Sequence, residues 1–193
     1  MKVKSLVALL LVFTLCAVSM IGAVAEESTG YQLGDKIEDF SFTGYDGTEY
    51  TLYGLLEEKQ MVLLNFWATW CGPCRSEFPM MDAAYQTFQD NVAVVALSTE
   101  AEDTNEVIAQ FAADNSMSFI VGRDEMNLYL TDFCTGYSPT TIVVDRFGTI
   151  CYYEYGAVTA VDFFERLFAT FVGDAYTKSI LLEGGIPTQE AGR

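Results

Sequence analysis

From Met61 to Trp67 six of seven positions are apolar, with only Asn65 interrupting, and Val92 to Leu97 repeats the pattern. Runs without polar alternation predict strands buried on both faces, as in a sheet covered by helices on each side. After Cys71 the spacing changes. Phe78, Met81, Ala84, Tyr85 and Phe88 recur at helical intervals, and Pro79, lacking an N–H, predicts a kink or a restart within that helix. Asp103 or Thr104 can cap a helix running to Ala113. Ser118 to Val121 reads as a short strand and Met126 to Phe133 as a short helix. Thr140 to Val144 and Thr149 to Tyr155 form a hairpin around Arg146-Phe147-Gly148, and Val161 to Phe171 is an amphipathic helix. Upstream, Ile37 to Phe42 alternates as a strand, Tyr45 to Thr48 is a turn, Tyr50 to Leu52 a returning strand and Leu55 to Lys59 a helical segment. The sum is an α/β domain with a mixed central sheet flanked by helices and an N-terminal strand extension.

The ends differ from this middle. Met1 to Lys4 is basic, Leu6 to Ile21 is nearly uninterrupted apolar sequence, and Ala23-Val24-Ala25 precedes Glu26-Glu27. This predicts a secretory signal peptide over residues 1–25. An uncleaved anchor is the alternative, because the apolar run approaches spanning length. Residues 26–173 then form the domain, and 174–193, with Gly184-Gly185 and Pro187, a C-terminal extension or tail. The implied location is extracytoplasmic, where disulfides persist.

The formal charge is −17, and it becomes −19 once the two lysines of residues 1–25 are removed. That balance argues against nucleic acid and anionic membranes as partners.

The candidate chemistry lies in Trp70-Cys71-Gly72-Pro73-Cys74, at the junction of a strand and a helix. Helix N-termini favour anions, and this placement with the C-x-x-C spacing lowers a cysteine pKa, so the motif predicts thiol–disulfide exchange. Half of a zinc site is the metal alternative, but structural zinc wants four N or S ligands and the chain has no histidine. A structural staple would close so short a loop that it removes little chain entropy. No metal is predicted, and no cofactor beyond the redox-active pair Cys71 and Cys74. Cys134 and Cys151 are candidates for a second disulfide, with two independent thiols as the alternative.

Asn65 to Arg75, Glu77 and Pro79, Ser138-Pro139-Thr140-Thr141 and Asp145-Arg146-Phe147-Gly148 together resemble the exported TlpA/ResA-like thiol–disulfide oxidoreductases of the thioredoxin-fold superfamily, over roughly residues 34–172. The resemblance implies that Cys71 attacks and Cys74 resolves. It also implies that Pro139 is a cis-proline facing the dithiol, with the backbone beside it pairing to a substrate strand. Trp70, Gly72, Pro73 and Ser138 would complete the motif and docking surface. Cytosolic thioredoxins carry a buried Asp where this chain has Asn65. TlpA/ResA-like proteins tend to place a Glu after the next strand, so the resemblance implies Glu100 as the proton acceptor or pKa tuner for Cys74. The implied partners are an oxidised exported protein, such as apocytochrome c, and a membrane thiol-electron donor, and a monomer is expected. Two other functions compete: a peroxiredoxin-like peroxidase, for which Thr69 and Arg123 are present but no upstream proline, and a non-catalytic binding or chaperone module.

Overall fold

The computed structural model describes residues 30–158, 160 and 162–172. The proposed leader and the C-terminal extension lie outside the described residues. In chain order the elements are β1 (Ser41–Thr43), β2 (Glu49–Thr51), α1 (Leu52–Glu58), β3 (Met61–Trp67), α2 (Gly72–Phe88) and β4 (Val92–Ser98). They continue with α3 (Asn105–Asp114), β5 (Ile120–Arg123), α4 (Leu128–Thr131), β6 (Thr140–Asp145), β7 (Ile150–Tyr155) and α5 (Phe163–Phe171).

Five strands form the main sheet in the order β5-β4-β3-β6-β7. β3, β4 and β5 are parallel, and β6 and β7 are antiparallel to their neighbours. All seven residues of β3 and of β4 are buried, for the reason their apolar runs suggested. Met61, Leu63 and Trp67 face a core built with Phe78 of α2, Phe111 of α3 and Phe164 of α5. Val62, Leu64 and Phe66 face a second core with Leu52 and Leu56 of α1, Leu128 of α4 and Phe42 of β1. The β1–β2 hairpin sits on the outer edge of β5 through the bridge Gly44 to Gly122. A Cβ on Gly122 would meet the Thr43 carbonyl oxygen at 2.3 Å, so only glycine permits this approach.

Several boundaries move, each for a local reason. Of the Ile37–Phe42 run only Ser41 onward pairs as a strand, because Ile37 N–H donates to Gly148 O and Lys36 bridges Thr149. Leu52 opens α1 because the Thr51 hydroxyl accepts Gly54 N–H at 2.9 Å. Ser118 is held by Asp82 of α2, through both its N–H and its hydroxyl, and β5 starts two residues later. Asn127 takes a left-handed φ of 58°, and Asp124 accepts the N–H groups of Leu128 and Tyr129, so α4 is shortened. The expected restart at Pro79 does not occur. α2 is continuous, with Pro79 on its exposed side between buried Phe78 and Met81.

This topology positions the site. The C-terminal end of β3 delivers residues 68–71, and the antiparallel register Phe66 to Thr140 brings the start of β6 to the same end of the sheet.

Candidate active site

Cys71 is the N-cap of α2, and its Sγ accepts the Cys74 N–H at 3.2 Å. Cys71 N–H in turn donates to Ala68 O at 3.0 Å, closing a tight bend after β3. Pro73, in the first turn, lacks an N–H where helices leave that group unpaired, so it costs nothing there. The first turn holds no acidic residue that would oppose an anion. These features favour negative charge on the Cys71 sulfur. Cys71 and Cys74 form a disulfide. Cys74 is fully buried and Cys71 is 2% exposed, while Gly72 and Pro73 are exposed above them. A Cβ on Gly72 would meet nothing within 4 Å, in keeping with its exposed position.

One turn beyond Cys74, Glu77 is completely buried. Its Oε1 accepts Asn65 Nδ2 at 2.8 Å, and its Oε2 accepts Val158 N–H at 3.2 Å. The same Asn65 amide donates to Thr141 Oγ1 at 3.1 Å. Burial pushes the Glu77 carboxyl up to about 7, against the pull of these two donors. An acid poised there can exchange a proton near neutral pH.

Glu100 contacts the residue that precedes Cys71. Its Oε2 accepts the Trp70 indole N–H at 2.8 Å, at a partly exposed position where the indole is 68% exposed. Glu100 thus meets the site through Trp70, while the acid buried in the dithiol helix itself is Glu77. Two signals in the sequence pointed to it. Glu77 is three residues from Cys74, hence on the same helix face, and Asn65 is the one polar residue of a strand facing that helix.

The Ser138–Pro139 peptide bond is cis, and Pro139 is buried with Ser138 half-buried. Its loop is fastened by hydroxyls: Thr140 Oγ1 donates to Tyr137 O at 2.6 Å, and Tyr137 N–H donates to Thr135 Oγ1 at 3.2 Å. Gly156 N–H donates to Pro139 O. Tyr137 and Tyr155 are exposed beside it, with ring centroids 5.5 Å apart.

Cys134 and Cys151 are not bonded to each other, so the possible second disulfide is not formed and the reading as two independent thiols holds. Cys134 Sγ donates to Thr131 O, next to Phe133 of the second core. Cys151 is the extra residue of a β-bulge opposite Val143 and Val144, packs on the first core across the sheet, and donates to Val143 O. Burial, reinforced by the Asp145 charge, pushes the Cys151 thiol up to about 12. With the native protein at pH 8, a thiol-specific alkylating agent should label exposed Cys134 and spare Cys151 until denaturant is added. Mass spectrometry of the digested protein reads both sites, and equal labelling without denaturant would contradict this placement.

The family model described as AhpC/TSA matches residues 33–153. The chain belongs to the AhpC/TSA family. The chain is 33% identical over 144 residues to the thioredoxin-like protein YneN of Bacillus subtilis, covering 74% of this chain and 83% of that one. It is 29% identical over 142 residues to the thiol-disulfide oxidoreductase ResA of Geobacillus thermodenitrificans, covering 73% and 79%. A solved structure from Chlorobium tepidum, assigned to the DsbE thiol:disulfide interchange proteins, matches with a TM-score of 0.58 at 28% identity, over 67% of this chain and 89% of that one. This AhpC/TSA member has the thioredoxin-like fold and is a thiol–disulfide oxidoreductase of the ResA/DsbE type. Among the described residues no helix is long and apolar enough to cross a membrane.

Proposed function

We propose that the protein works outside the cytoplasm as a reductant of disulfides in exported proteins. The observation that carries this reading is the combination of an N-capping Cys71 with a buried acid one turn beyond Cys74. In the reduced protein the Cys71 thiolate attacks one sulfur of a substrate disulfide. A mixed disulfide forms and the first substrate thiolate departs. Cys74 then loses its proton to Glu77, attacks the Cys71 sulfur and expels the second substrate thiolate. The substrate disulfide has gained two electrons and the Cys71–Cys74 pair has lost them. A carboxylate at Glu77 opposes a second anion at Cys74, which favours the disulfide and makes the couple reducing.

The leader-like residues 1–25 support the location, and the Gly-Pro dipeptide supports the direction. The resemblance to ResA-like proteins supports apocytochrome c cysteines as substrate and a membrane thiol carrier as electron donor, with the protein acting as a monomer. Trp70, held by Glu100, and the Pro139 loop would flank the bound substrate strand.

Equilibration of the Cys71–Cys74 couple with a thiol buffer tests the direction. A potential near the thioredoxin value of about −270 mV is expected, and one near −120 mV, that of strong oxidants, would overturn it. The peroxidase reading finds no support in the geometry, since the Thr69 hydroxyl donates to Asp103.

A further inference from the structure

Thr69, two residues before Cys71, has all its polar groups engaged. Its N–H donates to Asp103 Oδ2 at 3.0 Å and its hydroxyl to Asp103 Oδ1 at 2.6 Å. Its carbonyl accepts from Arg75 Nε at 3.0 Å and Nη2 at 2.6 Å, and that guanidinium lies over the Phe111 ring at 5.3 Å. The bend leading to the dithiol is thus gripped between an anion from the β4–α3 loop and a cation from the first turn of α2. Asp103 is only 3% exposed and also accepts the Ser98 hydroxyl. Its loop makes two more contacts with the same bend: Thr99 N–H donates to Trp67 O at 2.8 Å, and Glu100 takes the Trp70 indole.

We propose that Asp103 is the positioning residue of the dithiol, holding Thr69 so that Cys71 sits at the N-cap of α2. The argument is geometric. Cys71 Sγ gains the Cys74 N–H only while residue 71 keeps its capping position, and the described bonds that fix residues 68–71 to the body of the domain run through Thr69 and its neighbours. Hydrogen bonds to an ionised carboxylate are stronger than neutral ones, so a buried Asp with three donors is a firm anchor. Asp103 acts through Thr69. A bystander anion would act differently, because it would raise the Cys71 thiol pKa by repulsion, and its removal would lower that pKa. Loss of the anchor instead takes Cys71 away from its donor and raises the pKa. The two effects have opposite signs.

The test is the pH dependence of Cys71 alkylation by iodoacetamide in the reduced full-length protein, resolved by mass spectrometry. It needs neither the physiological donor nor the substrate, so it stands or falls independently of the direction of electron flow. Asp103→Ala is expected to move the midpoint up by about one pH unit, leaving about tenfold less thiolate below it. Asp103→Asn should restore the profile, because its oxygen can accept Thr69 N–H and the Ser98 hydroxyl while its NH₂ donates to Thr69 Oγ1. A midpoint in Asp103→Ala that is unchanged or lowered overturns the proposal, as does an Asp103→Asn profile matching that of Asp103→Ala. Should Asp103→Ala fail to fold, Thr69→Val, which deletes one of the bonds, decides: a smaller upward shift is expected, and no shift overturns it.

Discussion

Cys71→Ser is expected to reduce disulfide-exchange activity by more than about a thousandfold, because a serine hydroxyl at neutral pH supplies almost none of the anionic nucleophile that the N-cap is built to hold. Cys74→Ser should behave differently. Its Cys71 sulfur retains the position and still attacks, but no thiol remains to resolve the product, so the partner stays bound through an intermolecular disulfide. Non-reducing electrophoresis of the Cys74→Ser protein with an oxidised model substrate should show a covalent adduct that dithiothreitol releases. The reverse pattern, an adduct with Cys71→Ser and none with Cys74→Ser, would exchange the two roles. The N-cap position of Cys71, whose sulfur accepts the Cys74 N–H, argues against that exchange.

The second large effect concerns Glu77. Its carboxyl titrates near 7 in the folded protein, against an ordinary value of 4.5. Below 4.5 it is protonated in both the folded and unfolded chains. Between the two values the unfolded chain has lost the proton and the folded chain keeps it, so folding stability falls as pH rises. Above about 7 the loss is complete, and a gap of this size corresponds to about 3 kcal/mol. Glu77→Gln should abolish that decline. The glutamine can accept Val158 N–H with its oxygen. Once the Asn65 amide turns over, the glutamine NH₂ can donate to Asn65 Oδ1, an oxygen with no hydrogen-bond partner among the described residues. Thr141 Oγ1 then donates to that oxygen instead of accepting from Nδ2. The variant should therefore match the parent near pH 4.5 and exceed it increasingly in Tm up to pH 8. Its resolving step should be slower by about a hundredfold, since a positioned base typically contributes that much or more. A stability profile parallel to the parent's would refute the raised carboxyl. Unaltered resolution of the mixed disulfide would refute the proton transfer.

The central strands and the dithiol were legible because each depends on local pattern. β3 is apolar on both faces, and the Cys71 loop carries its capping chemistry within five residues. Glu77 was harder to see. A glutamate on a helix ordinarily points to water, and only the union of Asn65 on β3, Val158 beyond β7 and the Cys74 face of α2 makes it a buried acid. Glu100 was easier to notice, from its position after β4, and the fold sets one of its carboxylate oxygens on the indole of Trp70, the neighbour of Cys71. Asp103 shows the same limit. In the sequence it is one acid of an acidic run and a candidate helix cap. In the fold Thr104 caps α3, and Asp103 is turned inward to Thr69.

The bulge at Cys151 bears on how the chain survives oxidative folding. A thiol pushed up to about 12 presents only about one thiolate in 10⁵ molecules at pH 7, so its attack on a neighbouring disulfide is correspondingly slow. Before β6 and β7 pair, the same cysteine has ordinary reactivity and can join Cys71, Cys74 or Cys134 in a wrong bridge. Closure of that hairpin is therefore the moment at which Cys151 leaves the pool of exchangeable sulfurs, and conditions that delay it should raise the yield of scrambled isomers.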